Sequence, residues 1–332
     1  MKPINVPSNV RVDGTRPHPV GADSAVSELG AGRRVHEDLP TVSVVIPAHN
    51  AQAYLAETIE SVFAQTFPPQ EVIVVNDGST DGTADVVATF ADRIRVVTLP
   101  GRGAAAARNA GAQVASGAWL AFVDADDTWL PEKLDRQIAR VLESGVDMVY
   151  SDRFNIGDRG DLPSIQSDVQ RMYEGDVFLD LLLTGNHITL SSAMLRTDLF
   201  RSMGGFSETL KNAEDWDLWI RIADGHRVAA CPEPLVRYRF HKGMKSGNPL
   251  RMQAARNDIV GRALASARGR QLPPAIRRRI RGETARTNGA DAARRGAWRL
   301  ACVEYGRSLM AWPFQAVLYR DIARLLLGRA RG

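Results

Sequence analysis

The chain has 332 residues, 44% of them apolar, and its 42 Lys and Arg against 38 Asp and Glu give a net charge of +4. That is an ordinary globular composition, long enough for one large domain with an appendage or for two domains. Two cysteines, Cys231 and Cys302, exclude a disulfide framework and a cysteine metal site, so a reducing cytosol is expected. The N-terminus lacks the apolar core of a signal peptide, and the uncharged stretch Leu309–Tyr319 is far short of the roughly 20 residues of a spanning helix. The charge is uneven. Residues 251–332 hold 18 basic against 5 acidic side chains, a net of +13, and residues 1–250 carry a net of −9. An acidic body and a basic C-terminal region suggest separate tasks.

Residues 1–38 mix Pro, Gly, Arg, His and Ser without periodicity and read as a disordered leader. Thr41–Ile46 is a β-branched run, a first buried strand, followed by the turn Pro47-Ala48-His49-Asn50. Leu55, Ile59, Val62 and Phe63 share one helical face, and Phe67-Pro68-Pro69 ends that helix. Glu71–Val75 is a second strand running into Asn76-Asp77-Gly78-Ser79-Thr80-Asp81-Gly82, a turn rich in helix-capping residues. A helix to about Ala91, a strand at Ile94–Leu99 and a helix carrying Arg108 and Asn109 follow. Trp119–Val123 is then a fourth strand that runs into Asp124, Asp126 and Asp127. Strand and helix in alternation predict a parallel sheet with helices on both faces and all strand C-termini on one edge. Pro47–Asn50, Asn76–Gly78 and Asp124–Asp127 should therefore meet at one crevice, where nucleotides commonly bind.

Beyond this, Asp147–Ser151, Ser191–Leu195 and Leu235–Phe240 read as strands, and Glu174–Leu183 as a helix. Asn212–Ile220 crowds three acids and two tryptophans at the start of another helix that reaches about Asp224. From Leu250 the pattern is helical and Arg-rich. Phe314, Val317, Leu318, Ile322, Leu325 and Leu326 form an apolar stripe, with Arg320, Arg324 and Arg329 largely off it.

Clustered carboxylates at Asp124–Asp127 repel one another unless a cation lies between them, and a hard divalent ion with oxygen ligands is the natural partner. A solvated acidic turn capping the next helix is the other reading. The succession VSVVIPAHN, VIVVNDGSTDGT, GAAAARNAG, AFVDADD, GGFSE, AEDWDLWIR and VRYRFH resembles the family 2 inverting glycosyltransferases of the GT-A fold, of the type that builds bacterial cell-surface polysaccharide, over roughly residues 41–245.

The resemblance implies an α/β, Rossmann-like, mostly parallel sheet with an added C-terminal helical region. The glycosyltransferase domain would span 39–246, with a nucleotide half at 41–127, an acceptor half at 128–246 and basic helices at 247–332. Pro47, Ala48, His49 and Asn50 would wall the base pocket, Asp77 would accept the uracil N–H, Arg108 would face the base or phosphates, and Asp124 the ribose. Asp126, completed by His241, would hold a divalent cation (Mn or Mg). Asp215 would be the general base, with Glu214 and Trp216 on the acceptor side. Each also has a plain structural role open to it: turn formation for Asp77, helix capping for Asp215, core packing for Trp216 and Trp219 (favoured over sugar stacking), and a strand end for His241.

The implied reaction is a single displacement. A sugar passes with inversion from a nucleotide-sugar donor, UDP-linked by resemblance, to a hydroxyl of a glycan or lipid-linked acceptor. Glycoside hydrolysis and a catalytically inactive carbohydrate-binding scaffold are the alternatives. A sugar-1-phosphate nucleotidyltransferase would need a Gly- and Arg-rich loop where Pro47–Asn50 stands. The basic helices could lie on an anionic membrane from the cytoplasmic side, or pack on the catalytic domain or a second subunit. Nucleic acid is not expected, as no motif for it is visible.

Overall fold

The computed structural model describes residues 39–157, 164–210, 212–241 and 249–329; the expected leader, 1–38, lies outside them. The first half runs β1 (Val42–Ala48), α1 (Leu55–Phe63), β2 (Glu71–Asp77), α2 (Thr83–Thr89), β3 (Arg95–Leu99), α3 (Ala104–Val114) and β4 (Trp119–Phe122). The strands pair in parallel in the order β3-β2-β1-β4, with Val45 beside Ile73 on one side and Phe122 on the other. The chain leaves β1 toward β2 and β3, then returns to lay β4 on β1's opposite side. That reversal opens a crevice beyond the strands' C-terminal ends.

The continuous apolar runs of β1, β2 and β4 have a two-residue logic. Val45, Ile73, Val75, Leu120 and Phe122 enter one core, while Val44, Ile46, Val72, Val74, Ala121 and Val123 enter another on the opposite face. Both faces are covered, so neither alternates with polar residues.

The second half adds β5 (Thr128–Trp129), α4 (Lys133–Ser144), β6 (Met148–Ile156), β7 (Ser164–Ile165), α5 (Phe178–Thr184), β8 (Ala193–Arg196), α6 (Thr197–Ser202), α7 (Glu214–Ala223) and β9 (Val228–Arg239). The sheet continues β4-β8-β6-β9-β5, with β8 antiparallel to both neighbours and β6 parallel to β9. The ends of β9 and β4 thereby reach the same edge. β9 is much longer than the expected Leu235–Phe240, because Pro232 and Pro234 read as breakers. They fall where the register slips, Ser151 facing Cys231 and Asp152 facing Pro234, the kind of irregularity that tolerates proline.

Helices α8 (Pro249–Ala265), α9 (Ala267–Gln271), α10 (Pro274–Arg294), α11 (Trp298–Ala311) and α12 (Ala316–Arg329) follow. α8 and the start of α10 are part of the main core through Ala255, Ile259, Val260, Ala263, Leu264 and Ile280. The later helices close a smaller core of Ala292, Ala301, Tyr305, Leu318 and Leu325. Among the described residues no helix is long and apolar enough to cross a membrane.

The run of small residues in α3 lets it lie close on the sheet. A Cβ on Gly111 would stand 2.4 Å from Val45 Cγ1 and 3.1 Å from Val75 Cγ2. G111A should therefore lower stability by about 1–3 kcal/mol, read as a shift of the urea midpoint at unchanged slope.

Candidate active site

The site grows from the turns at the C-terminal edge. Pro47 and Ala48 end β1, and His49 and Asn50 stand exposed beyond them. His49 Nδ1 donates to the Asp77 carbonyl at 2.7 Å, Asn50 N–H donates to Ser79 Oγ at 3.1 Å, and Asn50 Oδ1 accepts from Thr80 N–H at 2.8 Å. The turn after β1 is thus clipped to the turn after β2. Asp77 is buried, and its two oxygens accept the N–H groups of Arg102 at 2.7 Å and Gly103 at 2.6 Å. These amides stand at the entrance to α3, where a carboxylate is favoured. Gly78 has φ +67°, and a Cβ there would meet Gly101 N at 2.6 Å, so the two glycine turns touch backbone to backbone.

Arg108, on α3, was expected at the base or the phosphates. The fold buries it and places both terminal nitrogens on carboxylates: Nη1 donates to Glu214 and Nη2 to Asp124, each at 2.7 Å. The two flanking anions hold the guanidinium charged despite its burial. Arg108 thereby joins the end of β4 to the start of α7, two segments 90 residues apart in sequence.

Asp126 and His241 come together: His241 Nε2 donates to Asp126 Oδ2 at 2.8 Å, and the imidazole lies 5.3 Å from the Tyr54 ring. Burial first, then the Asp124 charge, pushes the Asp126 carboxyl above the usual range, and His241 works against them. Asp127 is buried deeper and pushed up further, by burial and then by Asp126 and Asp124. It is the cluster's anchor: Ser191 Oγ donates to Oδ2 at 2.5 Å and Arg239 N–H to Oδ1 at 3.0 Å. Arg239 also donates to the Asp126 carbonyl at 3.0 Å and to Glu57 at 2.9 Å.

A partly open carboxylate–imidazole pair beside two further carboxylates fits a divalent cation, for which Asp126 and His241 would be the protein ligands. Among the described residues no three His, Cys, Asp or Glu side chains are arranged to hold an ion alone. Further ligands would come from substrate phosphate and water.

Asp215 sits in the first turn of α7 after Ala213, whose φ of +59° is unusual outside glycine. Asn50 is the other non-glycine residue with positive φ among those described, so both such positions border the site. Asn186 Nδ2 donates to Asp215 Oδ2 at 2.8 Å, and the Trp216 N–H donates to Oδ1 at 2.8 Å. Burial, then the neighbouring Glu214 charge, raises the Asp215 carboxyl to about 6 despite those bonds. Trp216 and Trp219 are core residues, 4% and 0% exposed, with indole N–H groups on the carbonyls of Leu181 and Ile188.

Arg153, on β6, is a further basic residue of this region. It stacks 4.0 Å from the Tyr238 ring centroid and donates to Thr189 Oγ1 at 2.7 Å, with Asp127 and Asp215 both among its electrostatic neighbours. Arg153, Asn186, Ser191 and Glu57 escaped sequence reasoning. They are ordinary residue types in unremarkable contexts, and only the tertiary contacts mark them. Arg239 could have been found, since it stands in the VRYRFH motif. Asn109 could have been found, since it stands in the GAAAARNAG motif. It clasps the GGFSE turn by accepting from Phe206 N–H and donating to Phe206 O, both at 2.9 Å.

An open α/β sheet with its acidic cluster at a topological switch point, continued by a mixed half that carries a second acid, is a fold of the GT-A type. TarS from S. aureus, solved with UDP-GlcNAc, superposes with a TM-score of 0.64 at 22% identity, covering 82% of this chain and 81% of that one. A mannosyltransferase from Pyrobaculum calidifontis, solved with GDP-Man and Mn2+, gives 0.59 at 20% identity over 88% of this chain and 80% of that one. The chain carries a glycosyltransferase domain of family 2: residues 43–204 match the model of glycosyl transferase family 2. The Escherichia coli UDP-Glc:alpha-D-GlcNAc-diphosphoundecaprenol beta-1,3-glucosyltransferase WfgD is 29% identical over 224 residues, 66% of this chain and 85% of that protein. These likenesses do not favour the glycoside hydrolase alternative.

Replacing Arg108 with methionine leaves two partly buried carboxylates facing each other. R108M should cost about 3–5 kcal/mol in chemical denaturation, and R108K should recover only part, since an ammonium cannot fork onto both acids.

Proposed function

We propose that this glycosyltransferase moves a sugar with inversion from a UDP-linked donor to a hydroxyl of a glycan or lipid-linked acceptor, in the synthesis of a cell-surface polysaccharide. The substrates named for WfgD and the ligand named for TarS support the donor and acceptor classes. The observation that carries the mechanism is Asp215. It is a half-buried carboxylate raised to about 6, oriented by Asn186, and linked through Glu214 and Arg108 to the acid cluster at the end of β4.

The turns at Pro47–Asn50 and Asp77 form the base pocket. Each Asp77 oxygen accepts one amide and keeps a further lone pair for the uracil ring N–H. Asp124, fixed by Arg108, faces the ribose. Arg108 itself serves as the strap between the two halves. Asp126 and His241 would hold a divalent cation, manganese or magnesium, which when bound supplies Lewis-acid stabilisation of the departing diphosphate. Asp215 takes the proton of the attacking acceptor hydroxyl, a step typically worth about a hundred- to ten-thousand-fold in rate. One displacement at the anomeric carbon inverts it, so no sugar–enzyme bond forms. Glu214 lines the acceptor side, while Trp216 supports the floor beneath it. Both cysteines are free thiols, in keeping with action on the reducing, cytoplasmic side.

D215N should abolish transfer while retaining nucleotide-sugar binding by calorimetry; transfer near the wild-type rate would overturn the assignment. The base works as carboxylate, so kcat/KM should fall about tenfold per pH unit below about 6. Asn186 favours the charged form, so N186A should move that acid limb to higher pH. A raised carboxyl pKa means that charging Asp215 costs folding stability above its unfolded value. D215N should therefore melt no lower than wild type at pH 8.

Chelation should end transfer, with manganese or magnesium restoring it, and D126N and H241A should raise the metal concentration needed for half-maximal rate by about 10- to 100-fold.

A further inference from the structure

The apolar stripe of α12 divides in the folded chain. Leu318 and Leu325 are buried and Ile322 is partly buried in the small helical core. The rest of the helix's apolar surface is turned outward: Val317 is 41% exposed, Tyr319 52%, Leu326 61% and Leu327 67%. Met310, in the last turn of α11, and Phe314, in the connection to α12, are each 81% exposed. These six are half of the twelve large exposed apolar residues among those described, gathered within 18 positions. Scattered apolar residues need no explanation, but a contiguous patch does.

The charges on this face have one sign. Arg320 and Arg324 are exposed on the same outward sector, between Val317 and Leu327 on the helical wheel. The single acid of α12, Asp321, is turned inward, where it accepts from Arg286 Nη1 at 3.1 Å. Tyr319 within the patch and half-buried Trp312 against Phe314 are side chains suited to a boundary between water and hydrocarbon. Fourteen residues make a helix of about 21 Å, shorter than the roughly 30 Å of a bilayer core, so it would lie along a surface rather than cross it.

We propose that the outward face of α12, with the α11–α12 turn, docks on an anionic lipid surface, its leucines and Phe314 in the acyl boundary and Arg320 and Arg324 on the lipid phosphates. A second copy of the chain fits less well. A two-fold contact through this patch would set arginines against arginines with no acid between them. Lipid supplies both complements at once: acyl chains for the leucines and phosphate for the guanidinium groups. The inference concerns attachment and is independent of the donor, the acceptor and the catalytic residues.

The test is flotation of the full chain with phosphatidylcholine vesicles, with and without phosphatidylglycerol, alongside light scattering for mass. Binding is expected to the anionic vesicles only, weakened by salt. R320Q/R324Q should weaken it on the order of thirtyfold, from about 1 kcal/mol per basic residue near such a surface. L326E/L327E should abolish it, and F314S/M310S, outside the helix, should reduce it without touching α12. All three variants should keep the wild-type melting temperature, since the altered side chains are exposed. Failure of the wild type to float, equal binding to neutral vesicles, or binding indifferent to these changes would overturn the proposal. So would a concentration-dependent dimer that L326E/L327E dissolves, which would make a second copy the occupant. Sugar transfer to a soluble acceptor is not part of the readout, so a failed docking surface is distinguishable from a failed catalytic reading.

Discussion

The guanidinium of Arg108 is the point on which the site's architecture turns. It is buried, it carries a full charge, and it makes a short bond to a carboxylate on either side. A buried cation between two anions is costly to assemble and more costly to break, because removing any member leaves the others unpaired in a poor solvent. Such a group contributes less to net stability than to uniqueness of geometry. Asp124 follows β4 at the C-terminal edge of the sheet. Glu214 opens the helix that presents Asp215. Their separation is set by the span of one rigid, planar side chain.

The remaining charges can be understood from that constraint. Asp127 is held from below by Ser191 and Arg239, which leaves Asp126 at the open side with His241. On α7, Glu214 faces Arg108 while Asp215 turns toward Asn186. Adjacent acids thus have different partners, a guanidinium for one and a side-chain amide for the other. Burial and the neighbouring negative charge lift Asp215 toward the pH at which a carboxylate can usefully take a proton. The two positive-φ residues, Asn50 and Ala213, border the same crevice. Local backbone strain there is supported by the packed sheet and helices around it.

The helices after β9 show how one sequence pattern can serve two ends. α8 and the start of α10 complete the main core, so this basic region is no loose appendage. α12 is apolar on more than one side, and its two sides have different surroundings. One side closes a small core, and the other faces solvent among arginines.

The sequence by itself determined the alternation of strands and helices, and with it the parallel order, the crevice and the meeting of Pro47–Asn50, Asp77 and Asp124–Asp127 at one edge. Those features follow from local signals: β-branched runs, glycine turns and handed crossovers, each readable within a few residues. It also determined the chemical types on offer, carboxylates gathered at a strand end. What only the tertiary structure decided is how those groups are shared out. That Asp77 accepts the amides of Arg102 and Gly103, that Arg108 meets carboxylates, and that Trp216 is core while Asn186 holds Asp215 all depend on contacts between segments far apart in the chain. The same holds for β9, whose prolines look like breakers until the slipped register of β6 accommodates them. Hydrogen bonds and desolvation act over a few ångströms in space, and no spacing along the chain encodes which distant atoms will come within that range.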